Sequence, residues 1–258
     1  MDEYINKDWQ EDLQNNALSS FEDFWKIDEK WFESPNYRRG GWSGVTRSHL
    51  MMGDGTKKAV FIKRQKNHFR KNIKNSFKGN LTFSIEFEAI MSFREIGIPT
   101  LEPVYYGLKK ENDDHLAVLV TNGLDEYFPL DELIEIWQQQ GWPDIKTRKN
   151  IAQSIAHLTS KMHEHKFQHN CFYPKHLFVK VADEVDTRVI DLEKVKKKRM
   201  RNSAMMRDLD TLNRHITNCS LTDRMRFLLA YLDTNTLTDD VKKLWYSLEK
   251  KSAKKTKE

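Results

Sequence analysis

The stretch His169-Asn170-Cys171-Phe172-Tyr173-Pro174-Lys175-His176 is a polar loop that leads into the apolar segment Leu177-Phe178-Val179-Lys180-Val181. A second apolar segment follows, Thr187-Arg188-Val189-Ile190-Asp191, and it ends on a carboxylate. Short runs rich in β-branched residues predict that both segments are strands. An Asp at the end of an apolar strand has little reason to be there for packing. Residues 169–191 are therefore predicted to carry the chemistry of the chain.

The sequence before this loop predicts a small sheet with one helix. Strands are predicted at residues 59–63, 103–107 and 116–121, and a helix from Phe83 to Ile96, ended by Gly97. Residues 21–32 are predicted to form a short helix or a segment packed on the body of the protein, and the polar residues 64–80 a loop. The sequence after Pro129 predicts helices, except around the two strands above. The fold class is therefore α+β, with a β-rich antiparallel N-lobe and a helical C-lobe.

These patterns predict four segments. Residues 1–20 form a polar N-terminal extension, expected to be frayed, and residues 21–121 form the N-lobe. Residues 122–249 form the C-lobe, and residues 250–258 a basic tail, expected to be disordered.

Composition narrows the function classes. The chain has 258 residues and a net charge of +5, which favours anionic partners. It contains no apolar run near the ~20 residues of a membrane-spanning helix, and Met1-Asp2-Glu3 does not begin a secretory signal. Two cysteines form neither a disulfide framework nor a four-ligand zinc site, so a cytoplasmic location is expected.

A β-rich lobe followed by a helical lobe is the layout of a phosphotransferase, which needs a cover over the phosphates, a cation and metal ligands. Gly40, Gly41, Ser43 and Gly44 are the candidate cover, because a backbone without Cβ atoms can approach phosphate oxygens. Lys63, at the end of an apolar strand, is the candidate cation. Glu86 and Glu88 are both candidates to hold it, and Glu86 is preferred from its distance to the helix end.

The loop itself aligns with the kinase pattern H-R-D-x-x-x-x-N. His169 matches the first His, Cys171 falls at the Asp that receives the acceptor proton, and His176 falls at the metal-binding Asn. Asp191 lies where the Asp of D-F-G holds Mg²⁺.

Together these motifs resemble the lipopolysaccharide kinase (Kdo/WaaP) family of protein-kinase-like folds, in its InaA-like branch. The resemblance is carried by residues 39–45, 61–63, 86–88, 97–100, 169–176, 191–193 and 207–210, within about residues 20–232. It implies a two-lobed kinase fold, ATP with Mg²⁺, and phosphorylation of a lipopolysaccharide core sugar, or another acidic glycolipid, at the cytoplasmic face of the inner membrane. It further implies that His169, Cys171 and Asp191 lie at the catalytic centre, that His176 and Asp191 bind metal, and that Asp208 buttresses the loop.

Cys171 departs from the family pattern, whose active members keep an Asp at this position. A thiol with a pKa near 8.5 is a poor substitute for a carboxylate as a proton acceptor. His169 or His176 acting as the base is one hypothesis. A pseudokinase, meaning a binding or regulatory protein that keeps the fold, is the alternative.

Residues 194–201 hold six cations in eight positions, directly after Asp191. Such a run favours an acidic glycolipid acceptor and peripheral contact with an anionic membrane. Basic RNA binding is a weaker alternative, because no aromatic residues are interleaved with the run; specific nucleic-acid binding is not expected.

Overall fold

The computed structural model describes residues 3–28, 30–38, 40–72 and 75–255. Residues 1, 2, 29, 39, 73, 74 and 256–258, which belong to stretches singled out above, lie outside the described residues. The chain divides into two compact units: Met1–Ser92 with Leu101–Asp125, and Phe93–Thr100 with Glu126–Glu258.

The first unit is built on a six-stranded antiparallel sheet. In chain order its elements are β1 (Glu3–Ile5), α1 (Gln10–Asn15), α2 (Phe21–Trp25), β2 (Trp31–Arg38), β3 (Gly41–Met51), β4 (Lys57–Lys66), β5 (Phe69–Asn72), β6 (Asn75–Leu81), α3 (Thr82–Glu95), β7 (Pro103–Glu111) and β8 (Asp114–Asn122). The sheet order is β1-β7-β8-β4-β3-β2, and β5 pairs separately with β6. Because β3, β4 and β8 are neighbours, Lys63 lies opposite Val45 on one side and Leu119 on the other.

The N-terminal residues are part of this unit, so the expectation that residues 1–20 are frayed is wrong. Glu3–Ile5 pair with Tyr105–Gly107, and Trp9 and Leu13 are buried in the core of the unit. Their spacing of four places both on one side of a helical segment. The sequence did not reveal these two buried residues because many polar residues surround them.

Residues 64–80 were expected to form a loop, and this is wrong. Strand β4 continues to Lys66, and β5 with β6 makes a hairpin. Arg64 and Gln65 are polar but buried, because each has partners: Arg64 donates to the carbonyls of Trp25 and Ile27, and Gln65 Oε1 accepts from Thr82 Oγ1 at 2.6 Å. The helix expected over residues 21–32 is also shorter, since α2 ends at Trp25 and Trp31 begins β2.

The second unit is mainly helical. Its elements are β9 (Phe128–Pro129), α4 (Leu130–Gln140), α5 (Ile145–Glu164), β10 (Phe167–Gln168), β11 (Leu177–Val181), β12 (Val185–Val189), β13 (Lys196–Lys197), α6 (Arg201–His215), α7 (Leu221–Tyr231) and α8 (Asp239–Lys255). Strands β12, β11 and β9 form a small sheet, and β10 pairs with β13. Turns of 3₁₀ helix cover Pro174–His176 and Leu192–Lys194.

The helices of this unit pack around a shared core that holds α5, α6, α7 and α8 together. Ala156, Leu209, Leu228 and Leu248 belong to it. Helix α8 runs to Lys255, so the basic tail is helical through that residue rather than disordered. Among the described residues, no helix combines the length and apolarity needed to cross a bilayer.

Candidate active site

The predicted catalytic loop is tied to helix α6 by one buried carboxylate. Asp208 is fully buried. Its Oδ2 accepts from the backbone N–H of His169 at 2.6 Å, and its Oδ1 accepts from that of Asn170 at 2.9 Å. Asn170 has a positive φ of 68°, a conformation that costs energy outside glycine and persists where the surroundings impose it. The carboxylate therefore sets the path of the backbone immediately before Cys171.

His169 is fixed by both of its ring nitrogens. Nε2–H donates to the Ile190 carbonyl at 2.9 Å, and Nδ1 accepts from the N–H of Cys171 at 3.3 Å. Burial lowers the pKa of His169 to about 4. The ring is therefore neutral at neutral pH, and both nitrogens are already engaged. This geometry argues against the hypothesis that His169 serves as the base.

His176 and Asp191 come together beside this loop. His176 Nδ1 lies 2.8 Å from the Cys171 carbonyl and 3.4 Å from Asp191 Oδ2. Since a carbonyl only accepts, Nδ1 carries the proton, and Nε2 keeps its lone pair. Burial lowers the pKa of His176, which favours the neutral form that metals bind.

Asp191 follows β12 in a left-handed conformation, with φ 61° and ψ 56°. Such outliers are frequent at functional sites. The peptide of Ile190 anchors it, since the Ile190 N–H donates to the His176 carbonyl at 3.0 Å. The carboxylate is a typical Mg²⁺ ligand, whereas imidazole is one that Mg²⁺ accepts less readily. In the described part of the chain no three His, Cys, Asp or Glu side chains converge as a metal site, and Mg²⁺ in such enzymes takes its other ligands from phosphates and water.

Cys171 neighbours the ammonium group of Lys194. The side chain is buried. Burial alone would lower the pKa of Lys194, but its contact with the Cys171 thiol and the nearby carboxylates of Glu193 and Asp191 raise that pKa. The Lys194 carbonyl also accepts from Asn170 Nδ2 at 2.8 Å. Where the kinase pattern has a carboxylate, this chain has a thiol next to an ammonium.

In the first unit, Lys63 forms an ion pair with Glu86. The distance from Lys63 Nζ to Glu86 Oε1 is 2.6 Å, and the Glu86 side chain is only 3% exposed. Glu88, the other candidate partner, is exposed. The buried carboxylate of α3 therefore holds the Lys63 ammonium in place on β4.

The glycine-rich stretch forms the β2–β3 hairpin. Gly40, at its tip, has φ 77° and open space around its Cα. Gly41 and Gly44 are required for packing: a Cβ on Gly41 would lie 2.3 Å from the Lys66 carbonyl oxygen, and one on Gly44 would lie 2.7 Å from the Trp31 ring. Ser43 is half-buried and pairs with Gln65 across the strands. Packing therefore requires glycine at positions 41 and 44, whether or not the hairpin binds a phosphate.

Sequence reasoning missed two buried residues behind the loop. One is His163, at the end of α5, whose Nε2 lies 3.3 Å from Asp208 Oδ2 and whose Nδ1 lies 2.9 Å from the Tyr231 hydroxyl. Tyr231 was not singled out. A His at the end of an otherwise apolar helical stripe was the only available signal, and its partners come from helices far away in the sequence.

The chain has three parts expected of a kinase-like protein. They are the loop held by the carboxylate of α6, the Asp that follows β12, and the buried Lys63–Glu86 pair. The chain matches the model of the Lipopolysaccharide kinase (Kdo/WaaP) family over residues 22–231. It belongs to this family. The resemblance seen in the sequence is therefore confirmed.

Two relatives of this chain come from Escherichia coli (strain K12). Protein InaA is 26% identical over 196 residues, which cover 76% of this chain and 88% of InaA. Lipopolysaccharide core heptose(I) kinase WaaP is 26% identical over 156 residues, 57% of this chain and 58% of WaaP.

A solved structure of WaaP in complex with acyl carrier protein has the same fold. The TM-score is 0.69, with 19% sequence identity, over 98% of this chain and 99% of that one. The prediction of an α+β, two-lobed protein-kinase-like fold is confirmed.

Proposed function

We propose that this protein transfers a phosphoryl group from ATP, with Mg²⁺, to a sugar of the lipopolysaccharide core or to another acidic glycolipid. Family membership establishes the kinase-like class. The observation that carries the proposal is the Lys63–Glu86 ion pair. A buried carboxylate that holds a strand lysine is the arrangement that grips nucleotide phosphates in protein kinases.

Each unit supplies its own part of this proposal. In the first, Lys63 binds the phosphates, Glu86 orients Lys63, and Gly40, Gly41, Ser43 and Gly44 form the hairpin that covers them. In the second, Asp191 and His176 would hold Mg²⁺. The metal, when bound, neutralises charge on the phosphate oxygens.

Proton transfer from the acceptor hydroxyl is the weak point of the site. A general base contributes about 10²–10⁴ in rate. His169 is neutral but fully engaged. His176 keeps a lone pair on Nε2 but is also the proposed metal ligand. The site therefore supports slow transfer that depends on positioning and charge rather than on a dedicated base.

A pseudokinase is the second candidate, and Cys171, which stands where the kinase pattern has an Asp, favours it. A thiol in place of the carboxylate removes a base without disturbing Asp208, which still holds the loop. Such a protein keeps the fold, with or without nucleotide binding, but lacks turnover.

We further propose that the protein acts in the cytoplasm, at the inner membrane surface. Lys196, Lys197 and Arg199 are exposed, and Met200 beside them is 61% exposed. Each cation near an anionic surface contributes about 1 kcal/mol. Replacing Lys196, Lys197 and Lys198 by Gln should weaken co-sedimentation with anionic vesicles at moderate salt. Equal binding, or binding to RNA only, would contradict the membrane contact.

Thermal unfolding with and without ATP and Mg²⁺ tests nucleotide binding first. Ligand at ~100 times Kd stabilises the folded state by about 2.7 kcal/mol, which raises Tm by several degrees for a chain of this size. The rise should be lost in Lys63→Ala and Asp191→Ala. Two exposed matched controls, Lys57→Ala and Asp183→Ala, should keep it.

The outcomes separate the two candidates. A metal-dependent rise, followed by phosphate transfer to core oligosaccharide, supports the kinase. The same rise without transfer to any phosphorylated sugar acceptor supports the pseudokinase. No rise at millimolar ATP would refute the kinase and leave a binding protein that keeps the fold but does not use nucleotide.

A further inference from the structure

Three buried polar side chains form a continuous chain behind the catalytic loop. The Tyr231 hydroxyl, at the end of α7, lies 2.9 Å from His163 Nδ1 on α5. His163 Nε2 lies 3.3 Å from Asp208 Oδ2 on α6. Asp208 in turn receives the two loop amides of His169 and Asn170. Tyr231, His163 and Asp208 are each 1% exposed or less.

The carboxylate at the end of this hydrogen-bond chain determines which group donates in each hydrogen bond. A carboxylate only accepts, so His163 donates through Nε2–H, and its Nδ1 accepts from the Tyr231 O–H. Burial raises the pKa of Tyr231 to about 12, so the hydroxyl keeps its proton at neutral pH. The guanidinium of Arg201, the first residue of α6, lies 5.5 Å from the centre of the Tyr231 ring and covers the outer end.

Packing alone does not require this arrangement. Apolar side chains of similar size fill such a space without the cost of burying polar groups. The Asp208 carboxylate selects the Nε2–H tautomer of His163, and the Tyr231 hydroxyl, which donates to Nδ1, fixes the orientation of the ring. That tautomer holds one carboxylate oxygen of Asp208, and the rotation of this carboxylate sets the geometry of both loop amides. This hydrogen-bond chain therefore ends at the peptide next to Cys171.

We infer that Tyr231 is a positioning residue for the catalytic loop, acting through His163 and Asp208 on the backbone of residues 169–171. Its kinetic consequence rests on the proposed phosphotransferase function. Its structural consequence, the fixed position of two backbone amides, does not.

The test is Tyr231→Phe, which removes one hydroxyl. Amide hydrogen exchange, followed residue by residue by NMR, should show at least about tenfold faster exchange at His169 and Asn170, with amides in the middle of α5 changed less. Tyr105→Phe is the matched control. Tyr105 is a fully buried tyrosine of the first unit whose hydroxyl donates to Glu3 Oε1 at 2.8 Å, so the loss of this hydroxyl should leave the two loop amides unchanged.

Kinetics provide the second readout. Tyr231→Phe should lower kcat about tenfold and leave the Kd for ATP within about twofold of wild type, since Lys63 and Glu86 are untouched. If the wild type shows no turnover, the proposed kinase activity fails while the exchange result still decides the role of Tyr231.

Variants at His163 keep the inference falsifiable if Tyr231→Phe folds poorly. His163→Gln retains an N–H donor for Asp208 and should keep most of the protection at His169 and Asn170, whereas His163→Leu should lose it. In the His163→Leu background, removing the Tyr231 hydroxyl should add little. Unchanged exchange at both amides in Tyr231→Phe, or an equal increase at all amides of α5 and α6, would overturn the positioning role.

Discussion

Replacing Asp208 by Asn is the most direct perturbation of the site, because it changes charge with almost no change in shape. The carboxylate accepts from His169 N–H, Asn170 N–H and His163 Nε2–H. An Asn carbonyl replaces only one oxygen, and its NH₂ group then faces a donor. A hydrogen bond to a charged group contributes about 1.5–3 kcal/mol, and leaving a buried donor without its acceptor costs about a further 1–3 kcal/mol.

We expect Asp208→Asn to lose roughly 3–5 kcal/mol of unfolding free energy, the sum of the lost hydrogen bond and the unsatisfied donor, or about 6–20 °C in Tm. Scanning calorimetry at pH 7 measures it. Asp144→Asn is the matched control, because Asp144 is an exposed N-cap of α5 that accepts from the Thr147 N–H, a role that Asn fills equally well. A loss below about 1 kcal/mol for Asp208→Asn would refute the reasoning, since packing of the loop would then hold it without the carboxylate.

Three further predictions concern the same groups. Glu86→Gln should weaken ATP binding about tenfold in calorimetric titration, because the charged bond to Lys63 contributes about 1.5–3 kcal/mol; exposed Glu88→Gln should not, and equal effects would contradict the pairing. Cys171→Asp should raise turnover at least about tenfold; unchanged or lower turnover would show that the thiol does not limit the rate. The folded protein keeps His169 neutral down to pH about 4, whereas the unfolded chain protonates it below about 6.5. Stability should therefore fall by up to roughly 3 kcal/mol between pH 6.5 and 4. Urea unfolding across this range should show a smaller loss for His169→Gln, and identical profiles would contradict the assignment.

Regular apolar spacing made most elements predictable. The helix predicted at 83–96 is α3, Thr82–Glu95, and the strand predicted at 177–181 is β11, Leu177–Val181. Local patterns failed where a polar residue is buried with a distant partner. Arg64 was predicted to lie in a loop because it is polar. Its hydrogen bonds to the carbonyls of Trp25 and Ile27 instead allow it to be buried within β4.

For the catalytic loop, too, the sequence revealed some features and not others. The order of His169, Cys171, His176 and Asp191 is visible in the sequence because these residues lie within 23 positions of one another. The sequence did not reveal that both nitrogens of His169 are occupied, because the partners are backbone groups whose positions depend on the turn of the chain.

The sequence by itself determined the family, the kinase-like fold class and the identity of the loop residues, because these follow from local spacing and residue type. The tertiary structure alone decided which carboxylate holds Lys63 and what stands behind the loop. Tyr231 lies 23 positions beyond Asp208, and His163 lies 45 positions before it. Only the packing of α5, α6 and α7 brings their polar atoms within hydrogen-bond distance of one another.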